Sequence, residues 1–171
     1  MIIRLERADD RDAAFELERL AFERDLEADI ARTVADVEGS FALVAEEGGT
    51  MIGHVQLSRG WIGAKPVVAL GPIGVLPERQ GQGCGGALVR GALEEAARRG
   101  ERVVMLLGSP AFYPRFGFVP AATFGLKNPY AGVAEEGFEI AEEDFMVARL
   151  DDAPIVLEGP VRWHPAFDEA G

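Results

Sequence analysis

The sequence predicts a mixed α/β fold, and three observations support this prediction. Segments with the alternation or the continuous apolar run of β-strands are interleaved with segments whose apolar residues recur at helical spacing. The chain has 171 residues, a usual length for one domain. It contains no internal repeat, low-complexity tract or linker that would divide it. We therefore expect a single domain over residues 1–171.

The first part of the chain predicts one strand followed by two helices. Residues 2–5 alternate as a strand does, and residues 11–23 and 25–37 have helical patterns. Asp9 or Asp10 can cap the first helix, because a carboxylate oxygen accepts hydrogen bonds from the free N–H groups at a helix start. The expected buried stripe of that helix consists of Ala14, Leu17, Leu20 and Ala21.

Three strands are predicted next, and the last of them is interrupted. Residues 40–45 and 51–57 form a hairpin around a glycine turn, and residues 67–75 form the fourth strand of the chain. Gly71 and Pro72 interrupt this strand, since proline donates no hydrogen bond to a sheet and glycine weakens a strand interior. We expect a bulge or splay there, which leaves strand backbone groups free to bind something else.

The rest of the chain predicts a long helix, a buried strand and further short elements. Residues 87–99 form the helix, and residues 102–107 are a continuous apolar run typical of a strand buried on both faces. A short helix is expected to begin at Ser109 and Pro110. Strand character returns at residues 145–150 and near residues 161–163.

A glycine-rich loop joins the interrupted strand to the long helix. Residues 79–86 read R-Q-G-Q-G-C-G-G. Glycines let the backbone turn sharply and let an anion approach its amides. The free N–H groups and the dipole of the following helix favour a phosphate at this point. The loop therefore predicts a phosphate-bearing ligand without identifying it.

Two other glycine-rich phosphate motifs fit the loop less well. Gly81, Gly83 and Gly86 satisfy G-x-G-x-x-G, which would indicate a dinucleotide-dependent oxidoreductase. That motif requires an acidic residue after the second strand. Glu101 precedes the strand instead, and Gly108 follows it. A P-loop is excluded because no Lys-Ser or Lys-Thr closes the glycine run.

Composition and charge exclude several classes of function. Hydrophobic residues make up 48% of the chain, and no apolar run approaches the roughly 18 residues of a membrane-spanning helix. The single cysteine excludes an internal disulfide and a multi-cysteine metal site. The acidic N-terminal segment is not typical of an export signal. We therefore expect a cytoplasmic protein with no metal and no membrane partner.

The net charge of −12 is the strongest compositional signal. It argues against nucleic-acid binding, which normally requires a basic face. It can attract a cationic substrate such as an amine, or it can serve solubility alone.

Two sequence blocks resemble the GNAT acetyltransferase superfamily, most closely its small bacterial YhbS-like members. Gln80, Gly83 and Gly85 match the family signature Q/R-x-x-G-x-G/A directly after a broken strand. Residues 111–118, A-F-Y-P-R-F-G-F, resemble the family block F-Y-x-R/K-x-G-F. Two separate blocks in this order are more specific than either alone, and the likeness extends over the chain.

The resemblance implies the GNAT fold, a mostly antiparallel mixed sheet splayed at its fourth strand and flanked by helices. It also implies acetyl-CoA as the acyl donor, with its pantetheine arm in the splay and its pyrophosphate on the loop. An N–H near Ile73 would stabilise the oxyanion of the reacting thioester. The implied cofactor-binding residues are Ile73, Gly74, Val75, Arg79, Gln80, Gly81, Gln82, Gly83, Cys84 and Gly85.

The resemblance also implies direct transfer of the acetyl group to a primary amine within a ternary complex. Tyr113 occupies the position of the general acid, because a phenol is protonated at neutral pH and can protonate the departing thiolate. Its alternative role is to anchor the short helix. No general base is evident, and His54 is the best candidate by residue type, although a lone strand histidine is more often structural. Cys84 is expected to be a small packed residue rather than a nucleophile.

Two functions from different classes therefore remain open. The first is an acyl-CoA-dependent N-acetyltransferase acting on an amine-bearing acceptor. The second is a GNAT-fold protein that binds acyl-CoA without turnover, as a sensor or interaction module. The family resemblance also allows a homodimer through residues 145–163.

Overall fold

Strands and helices follow each other in the predicted order. The computed structural model describes residues 1–135 and 138–169. The strands are β1 (Ile2–Leu5), β2 (Phe41–Glu47), β3 (Thr50–Ile62), β4 (Lys65–Val75), β5 (Val103–Leu107), β6 (Val119–Pro120), β7 (Ala134–Glu135), β8 (Phe138–Glu139), β9 (Phe145–Arg149) and β10 (Val161–Arg162). The helices are α1 (Arg11–Phe22), α2 (Leu26–Val34), α3 (Cys84–Arg98) and α4 (Ala166–Glu169).

The larger sheet is mixed and mostly antiparallel, as predicted. Its strand order is β1-β2-β3-β4-β5-β9-β6, and β10 pairs with β3. The pair β4–β5 is parallel, whereas β1–β2, β2–β3, β5–β9 and β6–β9 are antiparallel. The parallel ladder pairs Val68 with Val104 and Ala69 with Met105. β4 continues as one strand through Gly71 and Pro72 to Val75, so what ends after Ala69 is its pairing with β5 rather than the strand itself, and the Gly71–Pro72 bond is cis.

Backbone contacts divide the chain into two units. The first comprises Met1–Arg59, Leu70–Glu95 and the segment from His164 onward, and the second comprises Gly60–Ala69 and Ala96–Trp163. A single domain over residues 1–171 stays a prediction.

In the first unit, α3 packs closely on one face of the strands β1 to β3. A Cβ atom built on Gly53 would lie 2.7 Å from Cys84 Sγ and 2.8 Å from Leu88 Cδ1. A Cβ atom on Gly91 of the helix would lie 2.8 Å from Ile3 Cγ2. Glycine is therefore needed on both surfaces, because a side chain at either position would push the helix away from the strands.

The opposite face of the same strands meets α1. Side chains alternate between the faces of a strand, so His54 points away from α3, and it contacts Glu18 of α1. The predicted stripe of α1 is only partly correct. Ala14 and Leu17 are buried, but Leu20 is 43% exposed. Phe15 and Glu18 are buried beside the correctly predicted residues, so the buried stripe lies further round the helix than its apolar residues alone suggest.

The second unit is built on the antiparallel pair β5–β9. Its register runs from Val103 opposite Arg149 to Leu107 opposite Phe145. Phe145 is fully buried and contacts Trp163 with ring centroids 5.3 Å apart. The aromatic block 111–118 belongs to this unit and places Phe118 in its core.

Several predicted boundaries differ from the structure. The helix predicted to begin at residue 87 begins at Cys84, because the last glycines of the loop adopt helical conformation. The short helix expected from Ser109 and Pro110 is instead a turn followed by a 3-10 helix at Tyr113–Phe116. Within the described residues, no helix is both long and apolar enough to cross a bilayer.

The close packing of α3 on β3 predicts that Gly53→Ala destabilises the fold. The new methyl group meets Cys84 Sγ and Leu88 Cδ1, and such overpacking typically costs about 1–3 kcal/mol. Cys84→Ala removes the nearer of these atoms. We expect Gly53→Ala/Cys84→Ala to lose less unfolding free energy in urea than the two single variants lose in sum. Strict additivity would contradict this account of the packing.

Candidate functional site

The glycine-rich loop begins directly beyond the end of β4. The N–H of Leu76 donates to Ile52 O at 3.0 Å, which ties the end of β4 to β3. A 3-10 turn at Pro77–Arg79 then reverses the chain. Gly81 and Gly83 have φ angles of 73° and 90°, in the left-handed region that favours glycine. These two glycines are therefore required by the path of the loop.

The polar side chains of the loop bind the protein itself. Gln80 Nε2 donates to Val75 O at 3.0 Å, and Gln82 Nε2 donates to Glu78 O at 3.1 Å. The guanidinium of Arg79 forms an ion pair with Glu47. These side chains fix the conformation of the loop, so the groups that it offers to a ligand are chiefly backbone amides.

The first amides of α3 have no acceptor within the helix, and the loop residues 81–83 before them are exposed. Ala87 N donates to Gly83 O at 3.1 Å and closes the first turn, while the N–H groups before it have no acceptor in the preceding turn of a helix. A Cβ atom on Gly81 or Gly83 would meet nothing within 4 Å. Together with the dipole of this 15-residue helix, these amides suit an anion.

Cys84 is a packed residue of the loop. Its side chain is 3% exposed, and its Sγ lies against Gly53 of β3. Burial raises the pKa of the thiol, which opposes formation of a nucleophilic thiolate at neutral pH.

The end of β4 lies between the loop and a buried charged cluster. Ile73 and Val75 are half-buried, and Gly74 between them is buried. A Cβ atom on Gly74 would lie 2.6 Å from Glu18 Oε2. The absence of a side chain at Gly74 therefore lets a carboxylate of α1 lie directly against the strand backbone.

That carboxylate belongs to a cluster of three ionisable side chains. His54 Nδ1 lies 2.6 Å from Glu18 Oε1, and His54 Nε2 lies 3.1 Å from Glu6 Oε2. His54 and Glu18 have no exposed side-chain surface, and the side chain of Glu6 is 7% exposed. The contact with Glu6 is close enough for an ion pair but is not aligned as a hydrogen bond.

The cluster favours a protonated imidazole. Burial by itself lowers the pKa of His54, but the hydrogen bond to Glu18 and the neighbouring carboxylate of Glu6 outweigh it and raise that pKa to about 9. Burial raises the pKa of the Glu18 carboxyl, against the opposing effects of His54 and of the Gly74 backbone N–H. One imidazolium thus faces two carboxyl groups, one of which is more basic than usual.

Sequence reasoning selected His54 but missed its two partners. Glu6 follows β1 and Glu18 lies within α1, so neither is near His54 in the chain. One signal was present for Glu18, since it is four residues after Ala14 and three before Ala21, on the same face of the helix. A glutamate within an apolar stripe indicates a buried carboxylate that needs a partner.

Tyr113 belongs to the second unit. Its ring packs edge-on against Phe112 and Phe118, with centroid distances of 5.0 Å and 5.7 Å. A Cβ atom on Gly108 would collide with Tyr113 Cε2, so the ring packs directly on the Gly108 backbone. Burial raises the pKa of Tyr113 to about 12, so the phenol is protonated at neutral pH. The packing suits an anchoring role, and the protonation state suits a proton donor.

The cluster around His54 is not a metal site. Over residues 1–135 and 138–169, no group of three or more His, Cys, Asp or Glu side chains is placed so that it could hold a metal ion.

Comparisons with known proteins give one consistent result. The model of the acetyltransferase (GNAT) family matches residues 5–118. YjhQ of Escherichia coli K12, named an uncharacterized N-acetyltransferase, is 32% identical over 155 residues, which cover 86% of this chain and 83% of YjhQ. The crystal structure of YhbS from Escherichia coli in complex with CoA matches with a TM-score of 0.84 and 32% identity, over 98% of this chain and 91% of that one.

A second solved structure supports the same relationship. A GNAT family acetyltransferase from Brucella melitensis in complex with acetyl-CoA matches with a TM-score of 0.73 and 31% identity, over 98% of this chain and 97% of that one. The two structural matches confirm the fold expected from the sequence.

The buried cluster predicts a specific pH dependence of stability. The pKa of His54 is raised from 6.5 to about 9, so the cluster stabilises the fold fully below pH 6.5 and loses this contribution as the pH rises through 9. The loss is about 3 kcal/mol at most. We expect the difference in unfolding free energy between the wild type and His54→Gln to fall across this window. Parallel curves for the two proteins would contradict a raised pKa.

Proposed function

Because the chain belongs to the GNAT acetyltransferase family, we propose that it is an N-acetyltransferase that transfers an acetyl group from acetyl-CoA directly to a primary amine. The observation that carries the proposal is the loop before α3. The side chains of Gln80 and Gln82 bind main-chain oxygens, and the exposed glycines of the loop lead into a helix start whose first N–H groups have no acceptor within the helix. That arrangement suits a pyrophosphate, and the matched proteins crystallised with CoA and acetyl-CoA support this donor.

The proposed donor site extends from β4 to α3. Backbone amides from Gln80 to Gly85 hold the pyrophosphate, and backbone groups of Ile73 and Val75 bond the pantetheine arm. Arg79 supplies positive charge beside the loop when it exchanges its ion pair with Glu47 for the ligand. An N–H at the end of β4, near Ile73, stabilises the oxyanion that forms at the thioester carbonyl, because a fixed dipole needs no reorganisation during the reaction.

The proposed reaction is a direct acyl transfer in a ternary complex. The acceptor ammonium first loses a proton to the buried cluster that contains His54. The neutral amine nitrogen then forms a bond to the carbonyl carbon, and the carbon–sulfur bond breaks as the tetrahedral intermediate collapses. Tyr113 gives its phenolic proton to the departing thiolate, and the second proton that the attacking nitrogen loses on forming the amide restores the phenol. Holding both substrates together supplies much of the rate through proximity.

One observation favours the alternative of an acyl-CoA-binding sensor without turnover. His54, which the sequence analysis selected as the candidate general base, has no exposed side-chain surface and so offers no direct contact to an amine. A sensor would bind acetyl-CoA but would not consume it with any amine. Turnover with a panel of primary amines therefore separates the two functions.

Gly83→Trp tests the donor site. The indole would fill the open space in front of the loop amides, so we expect acetyl-CoA affinity to fall at least tenfold, about 1.4 kcal/mol, in calorimetric titration. Gly100→Trp is the matched control, because Gly100 follows the other end of α3 with a similar φ of 80° and equally open space. Failure of the wild type to bind acetyl-CoA would reject the donor assignment.

Tyr113→Phe tests the proton donor. It removes the hydroxyl and keeps the packed ring, so we expect kcat to fall about 100-fold or more while acetyl-CoA affinity and thermal stability remain. Tyr130→Phe is the control, since Tyr130 is the other tyrosine of the chain and packs on Trp163. Equal kcat values for the wild type and Tyr113→Phe would reject Tyr113 as the proton donor and would support an anchoring role for its ring.

A further inference from the structure

One carboxylate oxygen of Glu18 has no aligned hydrogen-bond partner. Its Oε1 binds His54 Nδ1 at 2.6 Å, whereas Oε2 has no aligned hydrogen-bond partner among the described residues. The side chain has no exposed surface. The Gly74 backbone N–H lies near this carboxylate and favours its charged form, but it is not aligned as a hydrogen bond to Oε2, so this buried oxygen can still accept a hydrogen bond from a ligand.

This oxygen lies against the part of β4 where the acyl group is proposed to bind. A Cβ atom on Gly74 would lie 2.6 Å from Oε2 and 3.1 Å from Glu18 Cδ. Gly74 is the residue between Ile73 and Val75, whose backbone is proposed to bond the pantetheine arm. Ala21 is also close, since its Cβ would lie 3.1 Å from that of Gly74. A side chain at Gly74 would therefore collide with both Glu18 and Ala21.

The charges around Glu18 suit a group that binds a cation and accepts a proton. His54 and Glu6 are the other members of the cluster, and Glu27 of α2 adds a further negative charge. Glu27 is itself paired with Arg24, whose Nε lies 3.0 Å from Glu27 Oε1. Burial raises the pKa of the Glu18 carboxyl, which makes its ionised form a stronger base than an exposed glutamate.

We propose that Glu18 Oε2 binds the ammonium group of the acceptor and takes its proton. The N–H bond of the ammonium breaks, the proton moves to Oε2, and the freed electron pair forms the bond to the acetyl carbonyl carbon. Oε2 is covered in the ligand-free chain, so this role requires that donor binding opens a path by which the amine reaches Oε2, directly or through one water. His54 and Glu6 are positioning residues, because the imidazolium holds Oε1 and leaves Oε2 directed at Gly74.

This inference rests on the proposed function, and the experiment separates the two. Acetylation of a primary alkylamine is measured first with the wild type, then with Glu18→Gln, which keeps the shape and removes the charge. Glu16→Gln is the matched control, since Glu16 lies on the exposed side of the same helix and pairs with Arg19. Acetyl-CoA affinity and thermal stability are measured for each protein.

We expect Glu18→Gln to lose about 100-fold or more in kcat/KM at pH 7 with little change in acetyl-CoA affinity, and Glu16→Gln to match the wild type. The loss should shrink about tenfold per pH unit between pH 7 and 9, because only the free amine reacts in the variant and its fraction rises with pH. A purely structural role would not make the loss depend on the protonation of the amine.

Every other outcome rejects either the proposed function or the proton-accepting role of Glu18. No turnover by the wild type with any amine rejects the proposed function. If the wild type turns over and Glu18→Gln has the same rate, the proton-accepting role of Glu18 is rejected and the proposed function stands. The same holds if Glu18→Gln loses rate but the loss does not vary with pH. If Glu18→Gln does not fold, Glu18→Asp retracts the carboxylate by one methylene, and a wild-type rate in that folded variant also rejects it.

Discussion

The arrangement of the buried cluster depends on the contact between His54 and Glu18. It joins β3 to α1 across 36 residues of chain, and Glu6 adds the end of β1 to the same cluster. Ionised groups are costly to remove from water, and apolar residues of the same volume would often give equal stability. A cluster of this kind is therefore better explained by what it does chemically, and its position against Gly74 places it beside the strand expected to hold the acyl donor.

The buried cluster acts through charged side chains, whereas the loop before α3 offers a ligand its backbone N–H groups. Gln80 and Gln82 bind main-chain oxygens of the preceding segment, and the thiol of Cys84 packs against Gly53. None of these side chains is needed for contact with an anion. The loop needs only a fixed path and free N–H groups, which the left-handed conformations of Gly81 and Gly83 and the start of a helix supply. Such a loop would hold the proposed pyrophosphate through its backbone, even in a protein of net charge −12.

Burial has different effects on the protonation states of the residues proposed to transfer protons. Burial keeps the phenol of Tyr113 protonated, and this agrees with a role as proton donor. His54 is also buried, but two carboxyl groups raise its pKa, so at neutral pH it carries a proton rather than accepting one. The basic member of the cluster is then Glu18. The identity of a side chain alone does not decide its role, because neighbouring charges and desolvation determine which form is populated.

The sequence by itself determined the mixed α/β class, the order of strands and helices and the glycine-dependent path of residues 79–86. Each of these depends on periodicity or on glycine and proline geometry within a few neighbouring residues. It did not determine that Leu20 is exposed while Phe15 and Glu18 are buried, or that Glu18 meets His54 and Gly74. Only the tertiary structure decided these points, because burial and charge pairing arise between segments far apart in the chain, and helical periodicity does not specify how a helix is rotated on its sheet.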